Sequence, residues 1–156
     1  MKKIIVLLLV SFSIASVAPA QDIILKDGNY FGLNGNLYSG TYSTYYEKGK
    51  TKSTCDIVDG KLNGNATYYY ENGNVMETGV FASNEKNGQW LRWGEKGNKI
   101  AEAFYATGKK DGTWLTWDEK GTKRYEMFYS MGEKVGKWSM WDENGKLLSE
   151  KTFSAI

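Results

Sequence analysis

The sequence predicts an all-β fold, an elongated single antiparallel meander sheet of five 24-residue β-hairpin units, and two glycine combs and a set of aromatic columns predict it. Gly40, Gly64, Gly88, Gly112 and Gly136 recur every 24 residues, and Gly49, Gly73, Gly97, Gly121 and Gly145 keep the same step. Tyr45, Tyr69, Trp93, Trp117 and Trp141 form one aromatic column, and Ile57, Phe81, Tyr105, Tyr129 and Phe153 form a second. A looser third column runs Tyr42, Ala66, Trp90, Trp114 and Trp138.

Taken in chain order, residues 1–20 stand apart from the rest. Lys2 and Lys3 give a basic start, an apolar run follows from Ile4 to Val10, and Ala18-Pro19-Ala20 supplies small residues at a cleavage site before Gln21. This is the pattern of a secretory signal peptide, and it implies a protein exported to the periplasm or the extracellular space. Ser11, Ser13 and Ser16 interrupt the apolar run well short of the ~20 residues a bilayer span needs, so no transmembrane segment is expected after cleavage. Residues 21–39 fit the period poorly and read as an amino-terminal capping half-unit, in which Lys26-Asp27-Gly28 resembles a turn.

The five units follow as 40–63, 64–87, 88–111, 112–135 and 136–156. Each carries two turn signals separated by strand-length segments. The first is Glu-Lys-Gly or Glu-Asn-Gly, ending at Gly49, Gly73, Gly97, Gly121 and Gly145, where glycine accepts the positive φ of a tight turn. The second is read at Asn63-Gly64, Asn87-Gly88 and Asp111-Gly112, dipeptides suited to primed hairpin turns. Between them Thr, Tyr, Trp, Phe and Val favour strands, and a glycine about every twelve residues would cut any helix. A hairpin buries no face alone, so equivalent aromatics in successive units are expected to stack into ladders along the sheet. Lys146, Glu150 and Lys151 put charge on the last strand, which discourages edge-to-edge aggregation.

Composition narrows the function classes. The whole chain has 20 basic and 18 acidic residues; removing Lys2 and Lys3 leaves 18 of each, a neutral mature chain. A neutral sum makes no electrostatic case for nucleic acid or anionic lipid. With no histidine, Ser-His-Asp and Cys-His sites are excluded, along with the commonest protein ligand for zinc. The single Cys55 closes no intrachain disulfide and reads as a small buried strand residue. Asp118-Glu119 and Asp142-Glu143 pair carboxylates, but Glu47, Glu71, Glu95, Glu119 and Glu143 repeat at one turn position, the mark of a solvated residue. Calcium would want six or more oxygens where each turn offers two or three. No catalytic residue, metal site or cofactor is therefore expected. Glu102, Glu126 and Glu150 recur on strands and read as cross-strand partners of Lys or Arg.

The segments Gly112-Thr-Trp-Leu-Thr-Trp-Asp-Glu-Lys-Gly121 and Gly136-Lys-Trp-Ser-Met-Trp-Asp-Glu-Asn-Gly145 resemble MORN repeats, in the variant found in YwqK-type antitoxin-like proteins. The Lys-Lys-Asp-Gly at 109–112 fits the same pattern, and the resemblance covers residues 40–154. It departs early, at Tyr42, Ala66 and Gly94. The resemblance implies an all-β repeat sheet used for protein or membrane-surface association, together with a partner-neutralising antitoxin role that sits awkwardly with an export signal.

The leading expectation is a non-catalytic protein-interaction or scaffolding module at the cell envelope, binding an unknown protein or envelope component. A carbohydrate or cell-wall-binding module is the alternative, in which exposed aromatics stack on sugar rings. Trp90, Trp93, Trp114, Trp117, Trp138 and Trp141 are the candidate partner-binding aromatics, because Trp and Tyr anchor many interfaces.

Overall fold

The structure is a computed structural model that describes residues 22–154, so the expected signal segment lies outside the described residues. Strands β1 (Ile23–Lys26) and β2 (Asn29–Gly32) pair into a small hairpin. The rest forms one long antiparallel sheet from β3 (Gly40–Tyr45), β4 (Thr51–Val58), β5 (Lys61–Tyr69), β6 (Val75–Ala82), β7 (Glu85–Trp93), β8 (Lys99–Ala106), β9 (Lys109–Lys110), β10 (Gly112–Trp117), β11 (Lys123–Ser130), β12 (Glu133–Trp141) and β13 (Leu147–Phe153). Sequential strands are neighbours from β3 to β13, with two-residue β9 paired only to β8, and the sheet stays open because β3 and β13 end the order.

Two kinds of turn alternate. At the first, the backbone N–H of Tyr46 donates to Lys50 O (2.8 Å) and that of Gly49 to Tyr46 O (2.8 Å). The same pair of bonds recurs at Tyr70, Gly94, Asp118 and Asp142. Gly97 sits at such a tip with φ +85° and open space where a Cβ would stand, so only its backbone conformation demands glycine.

The second turn differs from the sequence expectation. The chain reverses at Asp59-Gly60, Ser83-Asn84, Thr107-Gly108 and Met131-Gly132, each with positive φ at both positions, as type I′ hairpins require. Gly64, Gly88 and Gly136 instead lie inside β5, β7 and β12, while Gly40 and Gly112 open β3 and β10. Their role is in β-bulges: opposite the step from Thr78 to Val80, β7 runs from Leu91 to Asn87, so the extra residues around Gly88 (φ +67°) are looped into the strand. The same break puts Gly64 opposite the Cys55-to-Ile57 step and Gly136 opposite the Glu126-to-Phe128 step. At Gly112 the kink separates β9 from β10. Asn-Gly and Asp-Gly dipeptides satisfy a bulge as readily as a turn, because both need a left-handed residue.

The hairpin tips are stitched across units. The N–H groups of Gly60, Asn84, Gly108 and Gly132 donate to the carbonyls of Tyr38, Leu62, Lys86 and Lys110 at 2.7 to 2.9 Å. The amino-terminal segment joins this system as its own two-stranded sheet. Tyr30 N donates to Gly60 O at 2.8 Å, Asn84 Nδ2 to Gly28 O at 3.0 Å, and the Tyr30 ring lies 5.4 Å from that of Tyr42.

The core is thin, as a single layer requires: Cys55, Ala66, Trp90 and Ala103 form its buried cluster, with Leu62, Tyr68, Phe81, Tyr105 and Trp114 packed around it. Trp90 is the largest side chain to be fully buried, at 2% exposure, because Gly79 leaves room; a Cβ there would lie 2.1 Å from the indole Cδ2.

Candidate binding face

Side chains alternate along a strand, so the six tryptophans divide by face. Trp90, Trp114 and Trp138 stand on one side of the sheet, and Trp93, Trp117 and Trp141, three residues further on, stand on the other. The expected ladders of equivalent residues take a different form. Equivalent strands are two apart, about 9.6 Å, which is too far for rings to stack. The second column fills the gaps, giving one row: Phe81–Trp90 (5.0 Å), Trp90–Tyr105 (6.4 Å), Tyr105–Trp114 (5.2 Å), Trp114–Tyr129 (5.4 Å), Tyr129–Trp138 (5.0 Å) and Trp138–Phe153 (5.0 Å). Tilted and edge-on contacts of this kind contribute ~0.5 to 1.5 kcal/mol each beyond area burial.

Each tryptophan of the row has a second task. The indole Nε1 of Trp90, Trp114 and Trp138 donates to the carbonyls of Val80, Phe104 and Phe128 at 3.2, 3.0 and 2.9 Å. For Val80 and Phe128 these are carbonyls at the register breaks, so the indole closes the polar gap a bulge opens. Trp90 is thus a core residue and not a surface anchor, whereas Trp114 and Trp138 keep part of their surface.

A lysine column completes this face. Lys86 Nζ lies 3.7 Å from the Trp90 ring and 5.3 Å from Tyr105; Lys110 lies 4.3 Å from Trp114 and 4.8 Å from Tyr129; Lys134 lies 4.7 Å from Trp138 and 5.6 Å from Phe153. Each ammonium therefore sits between two rings of the row, held by their negative faces. Lys86 also pairs with Glu77 at 3.1 Å. The same carboxylate, after burial, raises the Tyr105 hydroxyl above its ordinary pKa. Sequence reading did not single out these lysines, although Lys-Asn-Gly at 86–88, Lys-Asp-Gly at 110–112 and Lys-Val-Gly at 134–136 repeat on the unit step.

The opposite face is charge-paired. Lys99–Glu102 (2.9 Å), Lys123–Glu126 (2.9 Å) and Lys137–Glu150 (2.7 Å) realise the strand glutamates as partners of lysine. Hydrogen bonding from Lys99 leads the effects that hold Glu102 below the usual carboxylate range, with Gln89 adding to it against desolvation. Here Lys99 covers Trp117 at 4.4 Å and Lys123 covers Trp141 at 4.3 Å. Trp93 lines a shallow depression with Asn74, Val75 and Lys96.

The paired turn acids are structural. Asp118 Oδ1 accepts the N–H groups of Lys120 and Thr122, both at 3.0 Å, and Asp142 Oδ1 accepts those of Asn144 and Lys146, both at 2.9 Å. Desolvation works to raise Asp118, and these bonds with Arg124 outweigh it, so its carboxyl stays ionised below the usual range. Earlier units have tyrosine at this position, and its hydroxyl reaches the next unit instead: Tyr46 OH donates to Tyr69 O at 2.6 Å and Tyr70 OH to Trp93 O at 2.9 Å. Cys55 is buried, and burial is the largest cause raising its thiol pKa. Among the described residues no His, Cys, Asp and Glu group could hold a metal ion, and no helix is long and apolar enough to cross a membrane.

A groove of about 280 Å³ opens on the lysine–aromatic face at the last hairpins, lined by Tyr125, Met127, Lys134, Trp138, Met140 and Lys151 among others. Tyr125 is 42% exposed, which leaves its ring free to contact a ligand.

An open sheet of consecutive hairpins with one periodic aromatic face defines a repeat-built binding or scaffolding class of protein. Three segments match the family model described as the MORN repeat variant, at residues 62–82, 110–131 and 134–155. The matched segments fall one on each of the β5–β6, β10–β11 and β12–β13 hairpins. The β3–β4 and β7–β8 hairpins share the geometry without a match. No curated protein matches the chain.

Proposed function

We propose that this chain is an exported, non-catalytic binding or scaffolding module of the cell envelope, working through its lysine–aromatic face. The observation that carries the reading is the segregation of that face. Its lysines and rings repeat on the unit step and from β7 onward none of its described strand positions is a carboxylate, while on the other face three lysines are each paired with a glutamate. Repetition of this kind suits an extended partner better than a single small substrate, which would need an enclosed pocket. The basic, apolar and small-residue pattern of residues 1–20 supports export. An antitoxin-like role, neutralising a protein partner through the same face, is the other reading that the resemblance to YwqK-type proteins offers; an export signal separates the chain from a cytoplasmic target.

Fractionation of cells producing the tagged chain tests this reading. A processed protein beginning at Gln21 and retained in the envelope fraction is the expected result. Unprocessed chain confined to the cytoplasm would overturn it.

A further inference from the structure

The mature chain's balanced sum conceals a strong asymmetry. On the aromatic face, the strand positions from β7 to β13 present Arg92, Lys110, Lys134 and Lys151, by their registers with Ala101, Tyr105, Tyr129 and Trp138. Among the described residues the only strand carboxylate on this side is Glu77 of β6, opposite Arg92, and it pairs with Lys86. Lys110 and Lys134 have no acidic partner among the described residues; aromatic rings alone flank them. Three lysines on the far side are each matched to a glutamate.

Resting on the reading of this face as the working surface, we propose that its ligand is a linear acidic polysaccharide carrying about one carboxylate per disaccharide. The spacing of the charges argues for it. Lys110 and Lys134, the two without an acidic partner among the described residues, stand two strands apart, about 9.6 Å, and Lys86, paired with Glu77, keeps the same step before them. A disaccharide repeat has that length, whereas a nucleic-acid strand carries a charge every ~3.4 Å and would leave most of its phosphates unmatched. The groove beside Lys134 and Lys151 supplies the second element, since the exposed Tyr125 ring offers a flat surface for a sugar and Met127 and Met140 give it an apolar floor. The tryptophans do not stack on the sugar. Their rings are already covered by the lysines, whose ammonium groups are thereby held in position to receive carboxylates.

The test is binding of the mature chain to hyaluronan oligosaccharides at low salt, beside neutral cello-oligosaccharides, phosphatidylserine vesicles and single-stranded DNA as competitors. Binding to hyaluronan that weakens as salt rises, with the neutral glycan unbound, is the expected result. Lys110→Gln with Lys134→Gln should weaken it about tenfold or more, each exposed charge contact being worth a factor of roughly three to five. Lys110→Arg should retain binding, and Lys99→Gln on the opposite face should leave it unchanged. Thr116→Glu adds a carboxylate to the cationic face outside the aromatic row and should abolish binding in a folded chain, so loss of fold in the lysine variants does not decide the matter. No hyaluronan binding, binding unmoved by Thr116→Glu, or equal or preferred binding of vesicles or DNA would each overturn the proposal. Envelope retention of processed chain alongside any of these results would leave the module reading standing and remove only the glycan.

Discussion

Gly79→Ala is the sharpest test of how the first aromatic contacts are built. Gly79 has no positive φ, so the backbone tolerates alanine, and the whole effect is steric. The added Cβ would stand 2.1 Å from Cδ2, 2.2 Å from Cε2 and 2.6 Å from Cγ of Trp90. Ordinary van der Waals contact begins near 3.4 Å, so the indole must retreat by more than 1 Å. It has nowhere to go: Phe81 lies 5.0 Å away edge-on, Lys86 3.7 Å over the ring, and Nε1 is tied to Val80 O at 3.2 Å. Overpacking costs ~1 to 3 kcal/mol, and a displaced indole also gives up a hydrogen bond worth ~1 kcal/mol. The expected loss is about 2 to 4 kcal/mol, a large share of a domain's stability. Urea unfolding followed by tryptophan fluorescence measures it. Trp90→Leu makes room at the cost of the ring, so the double substitution should fall well short of the sum of the singles. A Gly79→Ala protein within about 0.5 kcal/mol of the parent, or additive behaviour in the cycle, would refute the close packing of Trp90 on Gly79.

Three other outcomes follow from the geometry. Trp114→Phe keeps an aromatic ring but removes the donor to Phe104 O, and should destabilise by about 1 kcal/mol in the same urea assay, with Trp138→Phe behaving alike. Gly97→Val meets no atom but forces a β-branched residue to φ +85°, which should cost ~1 to 2 kcal/mol, and Gly97→Asn should recover much of it. Glu102 is held below its ordinary pKa by Lys99 first and by Gln89, so its contribution is full above the unfolded value near 4.3 and is lost as pH falls through the lower folded value. Acid titration by circular dichroism should therefore show Lys99→Met losing less stability than the parent below about pH 4; identical acid profiles would show that the pair contributes nothing to folding.

The period, the strand composition and the Glu-Lys-Gly turns were legible because each depends on residues close in sequence. A glycine needed for a left-handed turn leaves the same mark in every copy. The second turn was misplaced at Asn63-Gly64, Asn87-Gly88 and Asp111-Gly112 because turn and bulge ask for the same backbone conformation. The true tips kept a comb of their own, Gly60, Asn84, Gly108 and Gly132, but Asn84 interrupts it and Met131 is an unusual hairpin residue. The six tryptophans were legible as columns, and strand alternation alone puts Trp93, Trp117 and Trp141 on the face opposite Trp90, Trp114 and Trp138, but the burial of Trp90 was not legible.

By itself the sequence determined the unit length, the strand class, the open repeat architecture and the absence of histidine chemistry, since periodicity and composition are local properties summed along the chain. Only the tertiary structure decided that rings of two different columns interleave into one row, that Trp90 is core, and that Lys86, Lys110 and Lys134 lie over that row. The reason is register: the two extra residues of each bulge keep side-chain parity but decide which residues oppose each other, and that pairing sets the rings of one column between those of the next, with the lysines over them.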